Sequence, residues 1–144
     1  MSTIQNTGGH LTYPNLPFIQ LFHNSTTSYN AGVTISDWRV NASRSITESS
    51  GVITVPVAGL YEIHIGLICG TTGGIMLEID GVEINRIGYA QAGTGEVWSQ
   101  IGSTGIHQLN ANSTVEFVSN TAGLQLHGAA NTTAVGGANI RLIG

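Results

Sequence analysis

Tyr61-Glu62-Ile63-His64-Ile65-Gly66-Leu67-Ile68-Cys69 carries an apolar residue at every second position. Successive side chains of an extended chain point to opposite faces, so Tyr61, Ile63, Ile65, Leu67 and Cys69 share one face while Glu62, His64 and Gly66 share the other. This is the pattern of a half-buried β-strand. Ile75, Leu77 and Ile79 repeat it, Asp80-Gly81 then supplies the two positive-φ positions of a tight hairpin, and Val82 and Ile84 open the return strand. The same logic predicts strands over 18–22, 34–40, 51–55, 97–101, 114–118, 124–127 and 138–143, separated by Gly- and Thr-rich breaks at 70–74, 91–95 and 129–137. No stretch sustains a 3.6-residue period. The chain is therefore read as all-β, with many short strands and regular turns arranged as a sandwich.

At 144 residues the chain fits one domain with a full core. Residues 1–16 read as an N-terminal arm and 17–144 as the folded domain. Only 8% of residues are charged, against roughly 25% in ordinary globular proteins. Lys is absent, the four Arg (Arg39, Arg44, Arg86 and Arg141) are scattered, and the net charge is −4, which excludes the basic footprint of a nucleic-acid partner. Polarity comes instead from Ser, Thr and Asn, 39 residues in all, and such a surface is insensitive to salt. No apolar run approaches the ~20 residues of a membrane-spanning helix, so no membrane partner is expected, and residues 1–10 do not read as a signal peptide. A single cysteine, Cys69, cannot form an internal disulfide, and its place in an apolar strand makes it a small buried hydrophobe.

The segment Gly51-Val52-Ile53-Thr54-Val55-Pro56-Val57-Ala58-Gly59-Leu60-Tyr61-Glu62-Ile63 resembles the signature of the complement globular head and its tumour-necrosis-factor-like relatives. There a Gly-led strand precedes a Pro-x-x-Gly-Leu-Tyr turn into a long core strand. The sequence departs from the family in having Ile53 where an aromatic residue usually stands. A hairpin over 75–87, a Ser/Gly/Leu segment over 103–109, a short strand around Val115 and a terminal Gly-Gly-x-x-Ile-x-Leu strand over 136–142 follow in the expected order. The resemblance covers 17–144 and implies a single ten-stranded jelly-roll sandwich that assembles as a homotrimer with the N-terminus at its base. Tyr61, Ile63, Ile65, Leu124, Leu126, Ile140 and Leu142 are the residues expected to form the trimer and its core.

Catalytic patterns are missing: there is no Gly-x-Ser-x-Gly elbow, His-Glu-x-x-His, Cys-x-x-Cys or phosphate-binding loop, so no enzyme activity and no cofactor are expected. Glu78, Asp80 and Glu83 form the one acidic cluster. Paired carboxylates can hydrolyse glycosides, and a Ca²⁺ site would want about six oxygen ligands, but a solvated hairpin tip explains the cluster equally simply. His64, His107 and His127 lie in or beside strands and would bind metal only if a three-fold axis gathered copies, so no metal is assigned. Trp38 and Trp98 suit core or interface better than an exposed sugar-stacking platform. Sequons at Asn24, Asn41, Asn112 and Asn131 are close to what this composition generates by chance and carry no role.

A trimer made without a signal peptide, poor in cysteine and charge and rich in Gly, Thr and Asn is similar to virion components of bacteriophages. The expected function is a non-enzymatic capsid decoration or cement protein, located in the virion, whose partner is the major capsid protein or another virion protein gripped through the arm and base. The alternative is a receptor-binding knob whose loops at 70–74, 91–95 and 129–137 recognise a cell-surface glycan or protein.

Overall fold

The computed structural model describes residues 5–7, 10–12, 15–90, 99–128 and 136–144, with side chains placed over 15–86, 101–128 and 136–144. Every regular element among them is a strand. In order these are β1 (Gln5–Thr7), β2 (His10–Thr12), β3 (Phe18–His23), β4 (Thr27–Tyr29), β5 (Trp38–Arg44), β6 (Thr47–Ser49) and β7 (Val52–Thr54), then β8 (Gly59–Cys69), β9 (Gly73–Ile79), β10 (Val82–Ala90), β11 (Ser99–Leu109), β12 (Thr114–Ser119), β13 (Leu124–Leu126) and β14 (Gly137–Leu142). β1 and β2 pair with each other as a small hairpin.

The remaining strands form two antiparallel sheets. The smaller runs β10-β9-β12-β7-β6; the larger runs β5-β3-β14-β8-β11, and three-residue β13 and β4 continue it from the Cys69 end of β8. Five strands in one layer face five in the other, as the ten-stranded expectation requires, with β4 and β13 as additions. The connections β5–β6, β7–β8, β8–β9, β10–β11 and β11–β12 each pass from one sheet to the other, which is the winding of a jelly roll.

Alternation decides what lies between the layers. Tyr61, Ile63, Ile65, Leu67 and Cys69 of β8, Ile19 and Leu21 of β3, and Ala138, Ile140 and Leu142 of β14 face Ile75 and Leu77 of β9 and Val115 and Phe117 of β12, and all are buried. Removing that apolar surface from water, at roughly 25 cal/mol per Å², is the main force holding the sheets together. The β9–β10 hairpin turns as expected: Asp80 and Gly81 have φ of 53° and 73°, and Ile79 pairs with Val82.

Three expected strands are corrected. Over 34–40 only Thr34 bridges to Val118, and the strand proper is Trp38–Arg44. The reason is a change of sheet. Ile35 N–H donates to Phe117 O and Ser119 N–H to Val33 O, so this stretch serves the smaller sheet before the chain crosses to β3. The strand expected over 97–101 runs instead to Leu109, paired with β8 along its whole length; residues 97 and 98 lie outside the described residues. The terminal strand begins at Gly137 and ends at Leu142, before Ile143.

Candidate functional site

The outward side of the larger sheet is the most structured exposed surface. Register places its side chains in rows across five strands. Arg44, Phe18, Arg141, Glu62 and Ile106 form one row; Ala42, Gln20, Asn139, His64 and Thr104 form the next; Arg39, Phe22, Gly137, Gly66 and Gly102 form a third. Three aligned glycines leave the β14–β8–β11 end of that last row as bare backbone. A Cβ on Gly102 would lie 2.7 Å from Ile65 O and 3.2 Å from Gly66 Cα, and one on Gly137 would run into Leu21 O, so at these two positions a side chain would have to move backbone.

The arginines on this face are each engaged by a neighbouring side chain. Arg141 Nε lies 2.5 Å from Glu62 Oε2, an exposed pair worth at most about 1 kcal/mol. Arg44 and Arg39 sit over the rings of Phe18 and Phe22 at 5.8 and 5.6 Å. His64 Nδ1 is 2.6 Å from Thr104 Oγ1. A shallow groove of about 850 Å³ runs between Phe18, Arg44, His64, Asn139 and Arg141. At the base of the face Leu60, Ile106 and Ile143 are 41, 60 and 43% exposed and contiguous: Ile143 N–H donates to Leu60 O at 2.8 Å, and Ile106 is paired with Glu62. Leu60 has the same strand parity as Glu62 and His64, which is the sequence signal that this polar-looking face has an apolar end.

All seven residues expected in the trimer and its core, Tyr61, Ile63, Ile65, Leu124, Leu126, Ile140 and Leu142, lie inside the single chain, Leu142 being the most exposed at 9%. They are core. Side chains with so little accessible surface have almost none left to give a second copy.

The acidic cluster is regrouped. Asp80 turns away, its carboxylate accepting from Ser113 Oγ at 2.9 Å and from Thr114 N–H at 2.8 Å. Glu116 takes its place, because Glu83 and Glu116 flank Glu78 in register on neighbouring strands. Among the described residues no three acidic, His or Cys side chains are grouped to hold a metal ion. Adjacent like charges on one sheet face repel, so Glu78→Gln is expected to raise stability by roughly 0.2–1 kcal/mol in urea melts at low salt, the gain shrinking at high ionic strength. A loss of stability would show that the row does not repel.

Trp38 belongs to the core side, with its Nε1–H donating to Ile35 O at 2.7 Å and its ring edge-on to Phe117, and Cys69 is buried. His107 is half-buried, His127 Nδ1 lies 2.9 Å from Thr26 Oγ1, and Trp98 is outside the described residues. Of the breaks at 70–74, 91–95 and 129–137, the first is tied down by Thr71 Oγ1, which donates to Gly123 O and accepts from Gln125 N–H; 91–95 and 129–135 lie outside the described residues. Sequence reading passed over His23, which is fully buried.

No family model matches the chain, and no curated protein matches it in sequence. Solved structures do match. Murine APRIL superimposes with a TM-score of 0.69 at 13% identity, covering 89% of this chain and 99% of that one. Eiger TNF from S. frugiperda gives 0.72 at 9% identity, covering 90% and 94%. The globular domain of zebrafish complement 1qA gives 0.63 at 12% identity, covering 87% and 94%. The fold is the TNF-like jelly roll. At these identities the likeness concerns architecture, and the TNF-like jelly roll places the rows described above on the outside of its larger sheet.

Proposed function

We propose that the protein is a non-enzymatic module that assembles as a homotrimer through the outward face of the larger sheet. The observation that carries this is the exposed apolar patch of Leu60, Ile106 and Ile143 on a face where Arg141 is paired with Glu62 and Arg44 lies over the half-buried ring of Phe18. An apolar patch of this kind on an otherwise Ser/Thr/Asn-rich surface favours burial against another protein surface. A stoichiometry of three is supported by the fold, which in its known members packs about a three-fold axis. Light scattering is expected to give three times 15.0 kDa for the natural chain. The Leu60→Glu/Ile106→Glu double variant is expected to run as one folded chain, because both side chains are exposed in the monomer and their loss costs it little. A monomeric natural chain, or a trimeric double variant, would sink the reading.

The finer reading is a virion component, a capsid decoration or cement protein with a major capsid protein as partner. Its support is compositional: few charges, no Lys, and solubility carried by uncharged polar groups. Co-sedimentation with empty capsids tests it. Binding to one sugar class on a glycan array, without capsid binding, would make the protein a receptor-binding knob instead, and silence in both assays would end both readings.

A further inference from the structure

At the end of the sandwich opposite the apolar patch, His23 closes β3 with no accessible surface. Its Nε2 lies 3.0 Å from the hydroxyl of Tyr29. That hydroxyl oxygen accepts from Asp37 N–H at 3.3 Å, which leaves the Tyr29 proton free to point at Nε2. The ring is wedged edge-on between Tyr29 and Trp38, with centroids 5.9 and 5.6 Å away. Above it the Asp37 carboxylate accepts from Ser25 Oγ, from Thr27 Oγ1 at 3.3 Å and from Asn24 Nδ2 at 3.4 Å. Thr26 Oγ1 joins this turn to His127 Nδ1 at 2.9 Å. Residues 24–29, 37–38 and 127–128 thus form a cap over one buried imidazole, held by these side-chain hydrogen bonds together with the three-residue β4–β13 ladder and the backbone bonds from Asn24 N–H to Asp37 O and from His127 N–H to Ile68 O.

We propose that this cluster is an acid-released latch: when His23 takes up a proton, residues 24–29 and 127–128 come away from the end of the sandwich while residues 32–35 stay bonded to β12 and the two sheets stay paired. A second N–H on the ring would force the Tyr29 hydroxyl to turn its proton away from Nε2, and the new charge would sit out of contact with water. The charged and titratable groups facing it are Asp37 from the β4–β5 connection, His127 beyond β13 and Tyr29 of β4. The Asp37 carboxylate already accepts from three donors. Opening the cap hydrates the imidazolium at the cost of those hydrogen bonds, the short β4–β13 ladder and the burial of Tyr29, whereas parting the sheets would break the long ladders and the rest of the core.

The direction of titration agrees with the geometry. Burial holds the His23 pKa below its ordinary 6.5; the Asp37 charge and the carbonyls of His127 and Ser25 oppose this without cancelling it. The unfolded or opened chain therefore binds the proton first. The closed cap is fully stabilised above about pH 6.5 and loses that stability as pH falls toward the lower folded value. For Asp37, burial opposes a downward shift, but hydrogen bonds from Ser25 and Asn24 and the nearby His23 outweigh it, so its carboxylate stays ionised through this window. The latch uses none of Leu60, Ile106 and Ile143, the residues proposed above for assembly.

Hydrogen exchange of the full chain at pH 7.5 and 5.0, corrected for intrinsic rates, tests the latch. Protection over 24–29 is expected to fall at least about tenfold at pH 5.0 while β8 and β12 keep theirs. In His23→Gln the pH dependence is expected to vanish. Unchanged protection in the natural chain, an equal fall in the variant, or a parallel loss in β8 would overturn the proposal. Should the variant fail to fold, the imidazole titration of His23 in the natural chain decides by NMR. A midpoint below 6.5 that coincides with cap opening supports the latch, and any titration with the cap still closed refutes it.

Discussion

Tyr61→Ala is expected to cost about 3–5 kcal/mol and to lower the melting temperature by roughly 10–15 °C, the largest effect of any single truncation described above. Tyr61 is fully buried at the start of β8, between Ile63 on its own strand and Leu142 opposite, and its hydroxyl reaches out of the core to donate to Val57 O at 2.9 Å. Alanine there removes an aromatic ring from a site whose walls are strands of two sheets and cannot close in. Tyr61→Phe separates the terms, because it keeps the ring and loses only the hydrogen bond, so about 1 kcal/mol is expected. Thermal melts of both variants at one fixed protein concentration make the comparison. Equal losses would mean that the hydroxyl, and not packing, dominates at this site.

Gly51→Ala is expected to be the second most damaging change. Gly51 has a φ of +91°, which costs an L-residue about 1–2 kcal/mol. A Cβ there would also stand 2.7 Å from Ile35 O and 2.7 Å from Thr34 Cγ2, and the first of these is a backbone carbonyl already accepting from Trp38 Nε1–H at 2.7 Å. Overlap with fixed main chain adds on the order of 1–3 kcal/mol. Gly81→Ala is the control. Its φ of +73° is similar, but nothing lies within 4 Å of the added Cβ, so only the conformational cost is expected. Urea unfolding of the two variants reads the difference. If Gly51→Ala is no worse than Gly81→Ala, crowding by the 34–36 backbone has no energetic weight.

β8 and the Asp80-Gly81 hairpin were readable because burial on one face imposes a period of two on the sequence, and a two-residue turn admits few residue types. β11 was readable only at its first residues. Between Ile101 and the buried Leu109 its inward positions are Ser103, Gly105 and His107, while Ile106 points out, so the apolar alternation lapses and pairing with β8 carries the strand through the gap. β4 and β6 are three residues each and too short to show a period. The site was legible in its parts and not in its assembly. Glu62 and His64 were placed on one face of β8, but the row that joins Phe18 to Ile106 needs the register of four other strands. Glu116 joins Glu78 and Glu83 for the same reason, through a partner strand more than thirty residues away in the chain.

β14 lies between β8 and β3, hydrogen-bonded to both, with Ile140 paired to Ile63 on one side and to Ile19 on the other. Until that segment has been synthesised, β3 and β8 have no ladder to each other, and the apolar rows of Ile19, Leu21, Ile63 and Ile65 have a gap where Ala138, Ile140 and Leu142 belong. During translation the larger sheet therefore waits on the ribosome, with its two halves exposed to solvent and chaperones. Closure is a late, long-range event whose rate is limited by bringing distant parts of the chain together rather than by any local turn.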